Sequence, residues 1–348
     1  MAAEASRGRW ARNSDMNRTI VSVTVLQAVA LSIVILFVIA CSALLRAQEA
    51  IPSQPGTPRQ ERIERLMNRG NSFSHARAYA RAEEEYRKAV EAAEKAGSDS
   101  RALILPLHAL AVTYANEHKN AEAEATFRRL LAVQEKAVGA DDPAVAPTLL
   151  SVAFACELSE KYDEALGFFQ QAVSLLEKEF GPNDVQVADA LAVLAGFRVR
   201  QGQYAEAQPL LERALGMQEK ALAPDSPMLG GTLYNLGKVY NESNQAPRAE
   251  RVLLRAVAGL ESYFGRTNPN ITGALRELAR SYSVQGKYAE AEPLYRRVLE
   301  LRERELGPDA PELAPVLDDI SAVLLRSGRD REAAEVKSRA DAIRAKGQ

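Results

Sequence analysis

The sequence predicts an all-α solenoid of about seven helix pairs, preceded by one N-terminal apolar helix. Three observations predict it. Ala, Leu, Glu and Arg dominate the 348 residues, and β-branched and aromatic residues are sparse beyond the first 45 positions. Those four residues lose little side-chain freedom in a helix. The chain also repeats itself, and every repeat holds two segments with apolar residues at helical spacing.

The apolar helix comes first. Thr19–Leu45 carries no charged residue. As a helix its 27 residues would reach roughly 40 Å at 1.5 Å per residue, enough to span a bilayer with some tilt. Cleaved signal cores are shorter, which favours an uncleaved anchor. Two alternatives stand beside it. Val38-Ile39-Ala40-Cys41-Ser42 resembles a bacterial lipobox, which would make Cys41 a lipidated N-terminus, and a small-residue cut after Ala47 would release the rest. Met16 is a second candidate start. Arg7, Arg9, Arg12 and Arg18 precede the run and only Arg46 follows closely. Flanking positive charge therefore keeps the N-terminus in the cytoplasm and sends the bulk of the chain across the membrane. The expected segments are a basic flank at 1–18, the apolar helix at 19–45, a tether at 46–58 and the helical array at 59–348. Pro52, Pro55 and Gly56 mark the tether.

The repeat follows. Leu107, Leu149, Leu191, Leu233, Leu275 and Leu317 are each 42 residues apart. Small residues keep the same spacing at Ala111, Ala153, Ala195, Gly237, Ala279 and Ser321, and again at Ala123, Ala165, Ala207, Ala249, Ala291 and Ala333. A small residue at a helix crossing lets two backbones approach. The longer turns read Gly139-Ala-Asp-Asp-Pro143, Gly181-Pro-Asn-Asp184, Ala223-Pro-Asp-Ser226 and Gly307-Pro-Asp-Ala310. Glycine is expected to end one helix in a left-handed conformation, and Pro with Asp or Asn to start the next. The expected pairs are 59–96, 101–138, 143–180, 185–222, 227–264, 269–306 and 311–346. One pair cannot bury its apolar stripe alone, so neighbours must stack. Lys337 occupies the column held by Phe127, Phe169, Leu211, Leu253 and Tyr295, as expected for a polar terminal cap.

These columns resemble tetratricopeptide repeats, and the 42-residue spacing is similar to the kinesin light chain type. The nearest stretches are Thr232-Leu-Tyr-Asn-Leu-Gly-Lys-Val-Tyr240 and Tyr288-Ala-Glu-Ala-Glu-Pro-Leu-Tyr295. The resemblance implies a right-handed superhelix whose concave wall is formed by the first helix of each pair and binds extended peptides or partner helices. It also implies that Asn235 contacts ligand backbone.

On the first helices, the positions beside the buried stripe should face that groove. They include Leu150 and Phe154 early in the chain, then Tyr234, Lys238 and Asn241, then Arg276 and Arg280. The expected partner is a protein segment, apolar at one end and acidic at the other, because Arg forks match carboxylates. The alternative for Arg276 and Arg280 is a solvated face paired with Glu277 or Asp318, and the alternative for Phe154 is a place in the core. The chaperone-tail carboxylate clamp of related repeats is not expected, since Ala192, Gly196 and Gly273 stand where it needs polar groups.

Other functions are disfavoured. With 44 basic and 46 acidic residues, the chain lacks the net basic field of a nucleic-acid binder. Cys41 and Cys156 are too few for a disulfide framework, and Cys156 reads as a small buried residue. His75, His108 and His118 show no metal-ligand spacing. No phosphate loop, nucleophile elbow or carboxylate dyad stands out. The sequence reading is therefore a membrane-tethered adaptor with no cofactor, no small-molecule substrate and no catalysis. Its alternatives are a self-associating subunit of an envelope complex and a periplasmic assembly helper.

Overall fold

The structure, a computed structural model, describes residues 57–95 and 101–346. The apolar run 19–45, Cys41 and most of the tether lie outside the described residues. Among the described residues no helix is long and apolar enough to cross a membrane.

The described residues form fourteen α-helices, joined in places by short 3-10 turns, and no strand. They are α1 (Pro58–His75), α2 (Tyr79–Glu94), α3 (Ile104–Asn116), α4 (Asn120–Val138), α5 (Ala146–Leu158), α6 (Tyr162–Phe180) and α7 (Val185–Arg200). Then come α8 (Tyr204–Ala221), α9 (Pro227–Glu242), α10 (Ala246–Phe264), α11 (Thr272–Val284), α12 (Tyr288–Leu306), α13 (Ala314–Arg326) and α14 (Asp330–Lys346). The chain divides within α7 into two compact units, 57–190 and 191–346 among the described residues.

In the 57–190 unit, α1 pairs with α2, α3 with α4 and α5 with α6, and each pair packs on the next through α2 with α3 and α4 with α5. In the 191–346 unit, α9 pairs with α10, α11 with α12 and α13 with α14, stacked through α8 with α9, α10 with α11 and α12 with α13. The 42-residue columns are the core. The six leucines from Leu107 to Leu317 are at most 2 % exposed, and the six alanines from Ala123 to Ala333 at most 1 %. Each buried leucine contributes roughly 1.5–3 kcal/mol. The small column has the predicted use at Gly237: a Cβ there would stand 2.4 Å from Cγ of Leu253 on α10.

The turns differ from expectation in one respect. Gly139, Gly181, Gly265 and Gly307 do have positive φ, from 83° to 100°. Their ψ values lie between 148° and 162°. That is the extended region open essentially to glycine alone, not the left-handed helical region. It turns the chain sharply toward the next turn, where Asp142 and Asn268 cap the following 3-10 turns by accepting from the N–H of Ala144 and Asn270.

Ion pairs tie successive second helices together. Lys119 meets Glu83 at 2.7 Å and Lys161 meets Glu124 at 2.8 Å in the 57–190 unit. Lys287 meets Glu250 at 2.7 Å and Arg329 meets Glu292 at 2.5 Å in the other. The terminal helix is polar, as expected: Lys337 binds Asp318 at 2.9 Å and Asp341 at 3.1 Å.

Candidate partner-binding face

The first helices of the 191–346 unit turn their side chains in a repeating pattern. On α9, take Tyr234 as zero at 100° per residue. Asn241 then falls at about −20°, Lys238 at about 40°, Gly231 at about 60° and Asn235 at about 100°. Tyr234 leans over α11, where its ring lies 3.4 Å from the place a Cβ on Gly273 would occupy. Asn241 leans the same way, and its Nδ2 donates to the Glu277 carbonyl at 3.0 Å and carboxylate at 2.9 Å. Asn235 leans to the opposite side, with Nδ2 3.3 Å from the Cβ position of Gly196 on α7. Lys238 and Gly231 therefore occupy the sector between the two neighbouring helices.

The same rule holds one pair later. Glu277 reaches back to α9, and Arg276 reaches forward, its Nε donating to Asp319 on α13 at 2.7 Å. Arg280 donates to Glu242 at 2.6 Å and lies 3.7 Å from Glu277. Burial lifts the Asp319 carboxyl above its ordinary value, and the Arg276 guanidinium opposes that rise. Sequence reasoning offered Glu277 or Asp318 as partners for Arg276 and Arg280, and Glu277 does pair with Arg280 at 3.7 Å, but not with Arg276. The structure assigns Asp319, because the residue about 100° further round the helix is the one facing back. Asp318 faces α14 instead and binds Lys337 and Arg344. The two arginines are thus held by the protein's own carboxylates.

Lys238 differs. It is half-buried and has no ion pair among the described residues, and the side chains of Tyr234 and Asn235 have no hydrogen-bond partner there. Tyr234 is also half-buried; burial is the main cause raising its phenol pKa. Glu277 adds to that rise, and Arg276, Arg200 and Arg302 oppose it.

In the 57–190 unit, the residues on α5 equivalent to Arg276 and Arg280 are apolar and covered. Leu150 is 5 % and Phe154 2 % exposed. The Phe154 ring turns back into its own pair, edge-on to Phe169 at 5.2 Å. A small concavity is lined by His108, Val112, Ser151, Phe154 and Leu158. Burial there pushes the His108 imidazole down to about 4, and its ring stands edge-on to Phe127 at 6.0 Å.

Cys156 is fully buried. Glu124, Cys156 and Glu164 bring their ligand atoms within 4.8 Å of one another, but cations already fill that cluster. Arg128 contacts Glu124 at 3.0 Å, Glu164 at 2.5 Å and the Cys156 Sγ at 3.4 Å, and Lys161 contacts Glu124 at 2.8 Å.

The tetratricopeptide repeat profile matches residues 103–178, 186–262 and 271–345, well over half of the chain. This chain belongs to the tetratricopeptide repeat family. No curated protein matches it. Solved tetratricopeptide and related structures share its fold at low identity. BtubC (BKLC) from P. vanneervenii is 19 % identical with TM-score 0.54, over 65 % of this chain and 89 % of that one. A putative kinesin light chain repeat protein from Podosopora anserina is 24 % identical with TM-score 0.51, over 60 % and 98 %. PilW, a type IV pilus biogenesis factor, is 18 % identical with TM-score 0.52, over 70 % and 94 %. The tetratricopeptide assignment agrees with the sequence reading of a repeat built for protein–protein contact. It indicates no catalytic family.

Proposed function

We propose that this tetratricopeptide chain is a membrane-tethered adaptor that holds a peptide or helix of a partner protein against its first helices. One observation carries the reading: on α9, Tyr234, Asn235 and Lys238 stand together with their polar ends unpartnered among the described residues. Polar ends that hold no partner within the protein can bond a backbone or side chain brought to them. Asn241, Arg276 and Arg280 complete the proposed face within the 191–346 unit as its supports. The membrane anchor is the uncharged run 19–45 with its basic leading flank, which supports retention in the membrane and the helical array on the far side.

The test has two arms. Protease treatment of intact spheroplasts should degrade the array, and alkaline extraction should leave the chain with the membrane. Crosslinking of the full chain in its native membrane should yield adducts with another protein. Adducts of the chain with itself alone would favour a self-associating structural subunit instead.

A further inference from the structure

The proposed adaptor reading leaves the chemistry of the partner open, and the ion-pair pattern narrows it. We infer that the partner presents an acidic side chain to α9, and that Lys238 receives it. This rests on the adaptor reading. Sequence alone grouped Lys238, Arg276 and Arg280 as the basic end of the groove, with the arginine forks matched to carboxylates. In the structure Arg276 is 2.7 Å from Asp319 and Arg280 is 2.6 Å from Glu242. An incoming carboxylate would have to displace these internal partners and leave Asp319 or Glu242 beside another anion.

Among the described residues Lys238 has no such competitor. It occupies the sector between the leaning side chains of Tyr234 and Asn235, about 40° and 60° round the helix from each. Gly231 lies beside it in the same sector, and nothing stands within 4 Å of a Cβ built there. A backbone can therefore come close to α9 at this point. A carboxylate reaching Lys238 would pass between the Tyr234 hydroxyl and the Asn235 amide, both able to donate. Glu277, Arg276, Arg200 and Arg302 all act on the Tyr234 hydroxyl, and Glu277, the one anion among them, is already engaged by Asn241 and Arg280. A basic or neutral segment would leave Lys238 desolvated and unpaired, a cost that selects against it.

The experiment uses the full chain in detergent micelles and a phage library of random twelve-residue peptides. Selected peptides should carry Asp or Glu at one recurrent position. Changing that residue to Gln or Asn should weaken binding to the wild-type chain about tenfold or more. Lys238→Met should bind both peptide forms equally, and Lys238→Arg should restore the preference. Circular dichroism and thermal melting of each variant should match wild type, since Lys238 holds no internal partner. Peptides selected without acidic enrichment would overturn the inference and leave the adaptor reading standing. Discrimination that survives Lys238→Met would overturn it in the same way. Failure to select any peptide would overturn both.

Discussion

Helix α5 in the 57–190 unit and helix α11 in the 191–346 unit hold the same place in the repeat and have thirteen residues each. Ten of the thirteen are buried in α5 and six in α11. Both bury their repeat leucine and small residue, Leu149 with Ala153 and Leu275 with Ala279. The difference lies wholly in the other faces. There α5 buries Leu150, Phe154, Cys156 and Glu157, where α11 has Arg276, Arg280, Tyr282 and Ser283. The repeat constrains the stripe that packs on the partner helix and leaves the rest to each pair. One backbone thus supports a face stabilised by apolar contact and another stabilised by ion pairs.

That contrast predicts different responses to perturbation. The largest effect should come from Phe169→Ala, which removes a fully buried ring and the edge contact of Phe154. A loss of about 3–5 kcal/mol is expected. Hydrogen exchange should localise it to α5 and α6, because a repeat array need not unfold as one unit. Spread of the loss across all described helices would remove the distinction between the faces.

Acid should act next, and on the apolar unit. His108 is held neutral, with its value lowered by burial from 6.5 to about 4. Between those values the unfolded chain binds more protons than the folded one, so stability falls as pH drops from 6.5 to 4. The contribution is at most about 3 kcal/mol. Exchange protection in α3 to α5 should weaken across that window, and His108→Leu should flatten the response.

The charged unit should respond to Asp319→Ala. Arg276 would keep its position without its anion, a cost of about 1–2 kcal/mol given that both side chains are about a third exposed. Adding Arg276→Met should recover part of that loss, and a double-mutant cycle measures the coupling. The smallest effect is expected from Lys238→Met, whose stability should stay within about 0.5 kcal/mol of wild type. A larger loss would mean that Lys238 has a structural role.

The sequence by itself determined the helix class, the period and the pairing. The columns of leucine and small residues recur at 42, and a packed helix crossing tolerates nothing larger at Gly237. The resemblance to tetratricopeptide repeats, rather than periodicity, pointed to the first helix of each pair as the open face. It did not decide which residues on that face remain available. Leu150 and Phe154 look like groove residues by spacing and are covered, and Arg276 and Arg280 look like ligand-binding cations and are paired internally. The ladder of ion pairs between second helices was legible in principle. Lys119, Lys161, Lys287 and Arg329 fall on the 42-residue period, but spacing alone does not show which glutamate faces them. Tertiary structure made those choices because the lean of a side chain toward the preceding or the following helix depends on how neighbouring pairs stack. One residue's difference, about 100° on a helix, separates Asp319 from Asp318 as the partner of Arg276 and leaves Lys238 without one.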